Sequence, residues 1–422
     1  MAAIDSSTPV VVLGLGTHGS IGIMRTLGRL GVQVYGIHST RSSAASSSRY
    51  CRETFLWDPN AASSEATVDF LHGVARAIGR LSILIPTADE GALFVSEHAA
   101  FLRDSFLFPD VSPDLVRSLI SKKCMYHLAK RHDVPTAETV FPQSRMEVVD
   151  VLQMASFPVM LKGIDGNLLK RLTGVKMAIV HDASELLSKY DELEDAGTPN
   201  LMLQEYIPGG EDTIWMFNGY FNAQSDCLAG FTGKKIRQSP VYTGATSLGV
   251  CLANAVVEQT TRDSMKAIGY RGILDIGYRY DARDGKYKVL DINPRIGATF
   301  RLFADANDYD VARVLYLDIT GQSVPEMRSV EGRKWAVEFN DVRSCFQYRR
   351  DGRLSLREWI TSYRGVRETA YFAIDDLTPF FKECGDSIVR NLRRVRDAFH
   401  SGKKRSKPSE LLSGGTLKPS DS

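Results

Sequence analysis

The segment Gly272–Arg295, GILDIGYRYDARDGKYKVLDINPR, decides the fold. Its pattern predicts two strands, Ile273–Tyr280 and Tyr287–Ile292, joined by a tight turn at Ala282–Gly285. The Asp-Gly pair in that turn supplies the backbone freedom that a hairpin needs. We therefore expect an antiparallel strand pair at this point in the chain.

Polar side chains share one face of this hairpin. Side chains alternate along a strand, so Asp291, Asn293 and Arg295 point the same way, and Asp275 can join them from the partner strand. Two carboxylates, an amide oxygen and a guanidinium group on one surface suit a divalent metal ion and phosphate. On this motif alone the alternative stays open that the hairpin is merely polar and its acids face water.

The composition is that of an ordinary globular protein. The chain has 422 residues, of which 43% are hydrophobic and 24% charged, and its net charge is +2. The six cysteines form no CxxC pair, which excludes a disulfide framework and fits a reducing compartment. No apolar run approaches the ~20 residues that span a bilayer, and the N-terminus lacks a signal-peptide pattern. We expect a cytoplasmic protein with neither nucleic acid nor membrane as partner.

The N-terminal region shows a strand, glycine, helix, strand pattern. An apolar run precedes Gly14–Gly19, GLGTHG, and a helical pattern and the strand Val32–Ile37 follow. This arrangement is typical of Rossmann-like domains, where glycines let the backbone approach a ligand at a helix N-terminus. NAD binding also needs an acid at the end of the second strand, and none is present there. The pattern therefore favours another small ligand, with Gly16 and His18 as candidate contacts.

Further candidate contacts follow the predicted strand Leu81–Ile85. Asp89 and Glu90 come just past its carboxyl end, where open α/β sheets place their sites. A helix cap is the alternative for Asp89. The serine-rich segment Ser39–Ser48 carries Arg41, which can lie over a ligand.

Cations and glycines recur in the next part of the chain. A helix predicted over Pro113–Arg131 carries two adjacent lysines, and the strand Phe157–Lys162 ends in a third. The glycine-containing segment Gly163–Gly174 that follows is predicted as a loop. A strand-end lysine beside loop amides can reach phosphate oxygens.

The predicted strand Leu201–Ile207 has an edge at which a flat ring can bind. Pro208 stops this strand and exposes unpaired backbone groups, which a purine can use. An Asn-Gly pair at residues 218–219 predicts a second hairpin turn. Lys235 and Arg237 then share one face of an extended segment.

In their order these pieces resemble the ATP-grasp superfamily, and within it the carboxylate–amine ligases related to D-aspartate ligase, D-alanine–D-alanine ligase and predicted ATP-dependent carboligases. The resemblance covers roughly residues 10–305. It implies an α/β and α+β fold with a Rossmann-like N-terminal domain, a small lid subdomain and a central mixed or antiparallel sheet domain. The expected boundaries are 1–112, 113–325 with the lid at about 140–210, a C-terminal extension at 326–400, and a disordered tail at 401–422.

The resemblance also implies a role for each matching residue. The residues implied for the nucleotide are Lys123, Lys162, Gln204, Glu205, Tyr206, Ile207 and Glu211, with Lys123 and Lys162 on the phosphates. Those implied for the metal are Asp275, Asp291 and Asn293, and Arg295 and Lys162 are implied in catalysis. Candidate substrate contacts are Gly16, His18, Asp89, Glu90, Lys235, Arg237 and Arg301. Gly277 departs from the family, since many relatives carry a Glu or Gln ligand there, and Asp275 is the expected substitute.

The implied reaction is the ATP-dependent activation of a carboxylate as an acyl phosphate, followed by attack of an amine, with an amino acid as the expected donor. We expect ATP, one or two Mg²⁺ ions with Mn²⁺ as the alternative, and small-molecule carboxylate and amine substrates. A homodimer is a candidate assembly. Two other functions stay open: an NAD-dependent oxidoreductase, and a regulatory protein that binds nucleotide without turnover.

Overall fold

The computed structural model of the protein describes residues 4–40, 43–194 and 198–404. Arg41, a candidate substrate contact, lies outside the described residues, as do residues 405–422 of the predicted disordered tail. The first four residues of that predicted tail, 401–404, belong to the last helix.

The N-terminal region is a parallel sheet with helices on both faces. Its strands, in the spatial order β3-β2-β1-β4-β5, are β1 Val10–Leu13, β2 Val34–His38, β3 Cys51–Leu56, β4 Ser82–Pro86 and β5 Phe106–Leu107. Its helices are α1 His18–Gly28, α2 Ser64–Ile78, α3 Asp89–Glu97 and α4 Ala99–Leu102. The central strand β1 is buried on both faces, because alternate residues enter two different hydrophobic clusters.

Two helices come next, followed by a small sheet and the three helices between its strands. They comprise α5 Pro113–Ile120, α6 Lys122–Arg131, β6 Thr139–Val140, α7 Arg145–Leu152, β7 Val159–Gly163, α8 Gly166–Thr173, β8 Met177–Val180, α9 Ala183–Leu193 and β9 Leu201–Glu205. The four strands form an antiparallel sheet in the order β6-β9-β7-β8.

One prediction for this region is right except at a single residue, and another is wrong. The helix predicted over Pro113–Arg131 breaks at Ser121, whose backbone is extended and whose hydroxyl caps α6 by accepting from Cys124 N. The predicted loop Gly163–Gly174 is mostly the helix α8, because Asp165 caps its N-terminus and Gly174 ends it with a left-handed backbone.

The remaining elements build a seven-stranded sheet with helices around it. They are β10 Ile214–Phe221, β11 Cys227–Ser239, β12 Ala245–Cys251, α10 Ala255–Ala267, β13 Gly272–Asp281, β14 Lys286–Asn293, α11 Val311–Ile319, β15 Lys334–Ala336, α12 Glu338–Arg350, α13 Leu356–Ser362, β16 Val366–Thr369 and α14 Thr378–Lys404. The order is β14-β13-β10-β11-β12-β15-β16, antiparallel except for the parallel β15–β16 edge. Residues 326–400 therefore contribute two strands to the central sheet.

One face of this sheet is a hydrophobic core. Trp215, Phe217, Leu274 and Tyr278 pack on this face with Met265 of α10 in a single buried cluster. The opposite face carries the polar residues of the hairpin, as strand alternation requires. The side chains that serve the site are thus held on a sheet whose back is packed.

The predicted opening hairpin is confirmed. It runs as β13 and β14, and Gly285 adopts φ +69 in the turn. The predicted Asn-Gly turn at 218–219 is wrong, because β10 runs straight through it. A Cβ at Gly219 would lie 2.6 Å from the Phe217 ring and 2.7 Å from the Ala229 carbonyl oxygen. The glycine there makes room for packing, not for a turn.

Within the described residues, no helix combines the length and the apolar character needed to cross a membrane.

Candidate active site

A cleft of about 930 Å³ lies between the three parts of the molecule. The small sheet with α8, the end of the N-terminal sheet with α3, and the polar face of the seven-stranded sheet all contribute to it. Its charged lining residues include Lys122, Lys162, Arg171, Lys176, Asp89, Glu90, Lys235, Asp275, Arg279, Asp291 and Arg295. The cleft therefore holds many cations near a compact acidic group.

The acidic group comes from the hairpin, as its alternation predicts. Cross-strand pairing sets Asp275 opposite Asn293 and Gly277 opposite Asp291. The register then shifts by one residue, so Leu290 is an extra residue on β14. Leu290 and Asp291 both line the cleft.

Each of the two carboxylates lies over a glycine. A Cβ added to Gly277 would lie 2.4 Å from Asp291 Oδ1, and one added to Gly297 would lie 2.6 Å from Asp275 Cγ. Side chains at these two positions would displace the carboxylates. The departure at Gly277 thus has a physical reason: the space that a ligand side chain from residue 277 would fill is already occupied by the Asp291 carboxylate.

Asn293 and Arg295 connect the two acids. Asn293 Nδ2 donates to Asp291 Oδ2 at 3.2 Å and to Asp275 Oδ2 at 3.4 Å, and its Oδ1 accepts from Arg295 at 3.1 Å. Burial raises the pKa of Asp275 to about 6, opposed by Arg295 at 3.8 Å and reinforced by the Asp291 charge. A partly buried carboxylate with long, weak hydrogen bonds is stabilised in its charged form by a nearby cation.

These residues fit a magnesium ion that also binds phosphate. Mg²⁺ typically uses one or two protein carboxylates, and substrate phosphates and water complete its octahedron. Asp275, Asp291 and the Asn293 amide supply such a partial set. Within the described residues no group of three or more His, Cys, Asp and Glu side chains could hold a metal alone. The remaining ligands would have to come from phosphate and water.

Two partly buried lysines face this group across the cleft. Lys162 Nζ donates to Gln204 Oε1 at 2.7 Å, and Lys122 Nζ donates to the Gly163 carbonyl oxygen at 2.9 Å. Burial lowers the pKa of both, that of Lys162 to about 8 with Lys122 adding repulsion. Among the described residues, the hydrogen-bond acceptor of each lysine is neutral, so an anion entering the cleft would be strongly favoured.

Lys122 lines the cleft, whereas Lys123, the lysine predicted for the phosphates, is not among its described lining residues. Lys123 Nζ lies over the Phe141 ring, 5.6 Å from its centroid. The extended backbone at Ser121 restarts the helix, and Lys122 is its first residue. Adjacent helical residues point about 100° apart, so only one of the pair can face the cleft.

The predicted adenine edge is partly in the cleft. Gln204, Glu205 and Ile207 line it, whereas Tyr206 and Glu211 are not among the described lining residues. Glu211 accepts instead from the Tyr348 hydroxyl at 2.8 Å, outside the cleft. Glu205 Oε1 accepts from Lys288 Nζ at 2.6 Å, which fixes the end of β9.

Two predicted substrate arginines are structural. Arg237 forms a buried ion pair with Asp341 at 2.8 Å. Arg301 is buried among acidic partners, with Asp310 at 2.5 Å and Glu368 at 2.6 Å. Neither is among the described lining residues of the cleft. A bulge in β11 around residue 236 turns Arg237 away from the cleft, while Gln238 faces it.

Gly16 and His18 also lie outside the described cleft lining. The His18 ring packs against Trp335 and Tyr371, with centroids 5.5 and 6.2 Å away. Burial lowers its pKa to about 4, so the ring is neutral near pH 7. Gly19 brings α1 against the chain after the hairpin, since a Cβ there would lie 2.8 Å from Ala298 Cα. Packing thus accounts for part of the glycine motif.

Asp89, Glu90 and Lys235 do line the cleft, as expected of substrate contacts. Asp89 Oδ1 accepts from Arg295 Nε at 3.0 Å, which ties the N-terminal sheet to the hairpin. Burial raises the pKa of Asp89, opposed by Arg295. Lys235 Nζ donates to the Gly244 carbonyl oxygen at 3.2 Å, and burial lowers its pKa.

The sequence reasoning missed three cleft cations: Arg171, Lys176 and Arg279. Within the described residues, Arg279 Nε is buried without a hydrogen-bond partner. Alternation could have found Arg279, because it lies two and four residues after Gly277 and Asp275 on the same strand face. Arg171 lies in the last turn of α8, which was predicted as a loop, and Lys176 follows that helix.

We expect the affinity for ATP to fall as the pH rises above about 8. Phosphate favours the charged form of Lys162, so binding must take up a proton once the pH exceeds its pKa of about 8. The dissociation constant should then rise up to about tenfold per pH unit. Calorimetric titration with ATP from about pH 7 to 9.5 measures this. Lys162→Arg should flatten the profile, and a wild-type profile that stays flat throughout would contradict the role of Lys162.

Comparison with known proteins places this geometry in context. No family model matches the chain. The chain is 26% identical to D-aspartate ligase of Enterococcus faecium over 248 residues, which are 56% of this chain and 58% of that protein. It thus spans somewhat more than half the length of this curated relative.

Solved structures with the same fold include two ligases or synthetases. The crystal structure of L-amino acid ligase from Bacillus licheniformis superposes with a TM-score of 0.57 at 13% identity, covering 78% of each chain. N5-Carboxyaminoimidazole synthetase from Staphylococcus aureus, complexed with ADP, gives 0.58 at 9% identity and covers 79% of this chain and 82% of that one. The predicted ATP-grasp fold is confirmed by these likenesses.

Proposed function

We propose, from the ATP-grasp fold and the charges in its cleft, that the protein is an ATP-dependent carboxylate–amine ligase. The observation that carries the proposal is the juxtaposition of two partly buried lysines, Lys122 and Lys162, with the Asp275–Asp291 pair in one cleft. Cations suited to phosphate thus lie opposite a partial magnesium site. We further propose an amino acid as the amine, which agrees with the names of the similar ligases.

The chemistry begins with activation of a carboxylate. A carboxylate is a poor acyl donor because its leaving group would be oxide. Its oxygen attacks the γ-phosphorus of ATP, an O–P bond forms, and the bond to the bridging oxygen breaks with release of ADP. The amine nitrogen then attacks the acyl carbon, and phosphate leaves with the electron pair of the C–O bond. The amine loses one proton, and an amide results.

Positioning and charge neutralisation account for most of the catalysis in phosphoryl transfer. We propose that Lys162 and Lys122 hold the ATP phosphates, and that Gln204, Glu205 and Ile207 line the base pocket. Asp275, Asp291 and Asn293 would hold Mg²⁺. A Mg²⁺ ion bound there would neutralise negative charge on the phosphates.

We propose that Arg295 acts at the acyl group. It lies between Asp89 and Asn293, so its guanidinium is oriented at both ends by hydrogen bonds of 3.0 and 3.1 Å. A fixed guanidinium can stabilise the negative oxygen that forms when the amine attacks. Asp89, Glu90 and Lys235, which line the same end of the cleft, are proposed substrate contacts.

We also propose the domain division that the sequence predicts. The four-stranded sheet and α8 would act as the lid over the polar face of the central sheet. Closing a lid excludes water, which would otherwise hydrolyse an acyl phosphate. The amine would then be the nucleophile that reaches the acyl carbon.

The test is turnover with pools of substrates. The protein is incubated with ATP, Mg²⁺ and mixtures of carboxylic acids and amino acids, and ADP, phosphate and new amides are read by mass spectrometry. We expect ADP and phosphate in equal amounts with one amide product. ATP binding without ADP release from any pool would favour the regulatory alternative. Quenching of nicotinamide fluorescence without ATP binding would favour the oxidoreductase.

A further inference from the structure

The C-terminal helix α14 exposes an apolar stripe. Phe381, Ile388 and Leu392 are 64%, 60% and 65% exposed, although all three are large hydrophobic residues. They lie seven and four residues apart, so they share one face of the helix. In sequence, Val395 and Phe399 continue the same spacing.

The start of α14 is packed, whereas the described apolar residues farther along it, Ile388, Val389 and Leu392, are exposed. Phe380 packs on Phe339 at 5.7 Å between ring centroids, next to the buried Asp376 that holds Arg25. Farther along, the described hydrogen bonds of Arg390 go to Glu383 and Ser387 of the same helix. A helix gains most of its stability from packing its apolar face. We therefore expect a partner to cover this stripe.

Positive charge is concentrated beside the stripe. Between Ile388 and Lys407 the sequence has eight lysines and arginines and a single acid, Asp397. The whole chain has a net charge of only +2, so the remainder of the protein is net acidic. In sequence, none of the arginines at positions 390, 393, 394 and 396 falls on the i, i+4, i+7, i+11 spacing of Ile388, Leu392, Val395 and Phe399.

We propose that α14 lies in the plane of an anionic lipid surface, with its apolar stripe among the acyl chains and its basic residues at the headgroups. An apolar stripe flanked by arginines and lysines is the pattern of interfacial helices. A second copy of the chain would cover the stripe but would bring two strongly basic segments together. Nucleic acid would satisfy the charge and leave the stripe exposed. An anionic bilayer meets both requirements.

This inference revises the expectation that no membrane is a partner. That expectation used the charge of the whole chain, which conceals the asymmetry between α14 and the rest. It goes beyond the proposed function and does not depend on it, because the stripe lies outside the cleft.

The experiment is co-sedimentation of the full chain with vesicles. Vesicles of phosphatidylcholine alone are compared with vesicles that also contain phosphatidylglycerol, at low and high salt. We expect the protein to pellet with the anionic vesicles at low salt and to be released by high salt. The double variant Ile388→Glu/Leu392→Glu should bind about tenfold more weakly or not at all.

Two comparisons make the result specific. Phe101→Glu, at a similarly exposed phenylalanine on α4 (64% exposed), should pellet like the wild type. Arg393→Glu/Arg394→Glu should also lose binding, since it removes charge and keeps the stripe. Failure of the wild type to pellet at low salt, or unchanged binding by the stripe variant, overturns the proposal. A dimer that dissociates in the stripe variant without vesicles would identify a second copy as the partner, and overturns it too.

Discussion

Asp291→Asn is expected to lower ADP release by about 10²–10³-fold while the fold stays intact. The substitution keeps the size of the side chain and removes the charge that lies over Gly277. With one carboxylate lost, the pair could no longer balance a divalent cation between the phosphates and the hairpin. Steady-state ADP production with the identified substrates measures the effect, and circular dichroism checks the fold.

Three matched variants define this result. Asp263→Asn, the same change on the exposed surface of α10, should leave turnover unchanged. Lys162→Ala should also abolish phosphate release. Gly277→Ala should lower activity although it removes no functional group, because its Cβ would meet Asp291 Oδ1 at 2.4 Å. Near-normal turnover by Asp291→Asn or Lys162→Ala would remove the proposed roles of these residues.

Asp341→Ala is expected to destabilise the protein by about 3–5 kcal/mol, because it leaves a buried guanidinium unpaired. Asp341 is fully buried and accepts from two nitrogens of Arg237 at 2.8 Å, from Trp359 Nε1 and the Tyr363 hydroxyl at 2.8 Å, and from Ser247 at 3.0 Å. Burial opposes its ionisation, and the hydrogen bonds from Arg237, Tyr363 and Trp359 outweigh this and lower its pKa. One carboxylate thus joins β11, β12, α12 and α13.

The measurement is the thermal midpoint of unfolding at a fixed protein concentration. Glu326→Ala, in an exposed pair with Arg328, is the control and should change the midpoint little. Replacing both partners, as Arg237→Met with Asp341→Leu, should recover much of the loss, because no charge then remains buried alone. A midpoint of Asp341→Ala equal to that of the control would contradict this account. Lys235, which lies two residues before Arg237 on β11, lines the cleft.

The sequence by itself determined the hairpin and most of its polar face. Strand alternation is a local property of the backbone, so residues two apart share a face wherever the strand lies. That placed Asp291 with Asn293, and Asp275 beside them, before any tertiary contact was known. The Asp-Gly turn is equally local, since it depends on the backbone freedom of two adjacent residues.

Only the tertiary structure decided which charged side chains reach the cleft. The sequence does not distinguish the adjacent lysines Lys122 and Lys123. The helix break at Ser121 decides that Lys122 lines the cleft. Arg237 and Arg301 were predicted as substrate contacts, but ion pairs with distant residues engage them: Asp341 lies 104 residues beyond Arg237, and Glu368 lies 67 residues beyond Arg301. Gly277 lacks the ligand side chain that many relatives carry at this position. In the folded chain, the Asp291 carboxylate occupies the space that such a side chain would fill. The physical reason is the same each time: a local pattern sets the direction of a side chain, but what lies in that direction depends on segments that only folding brings together.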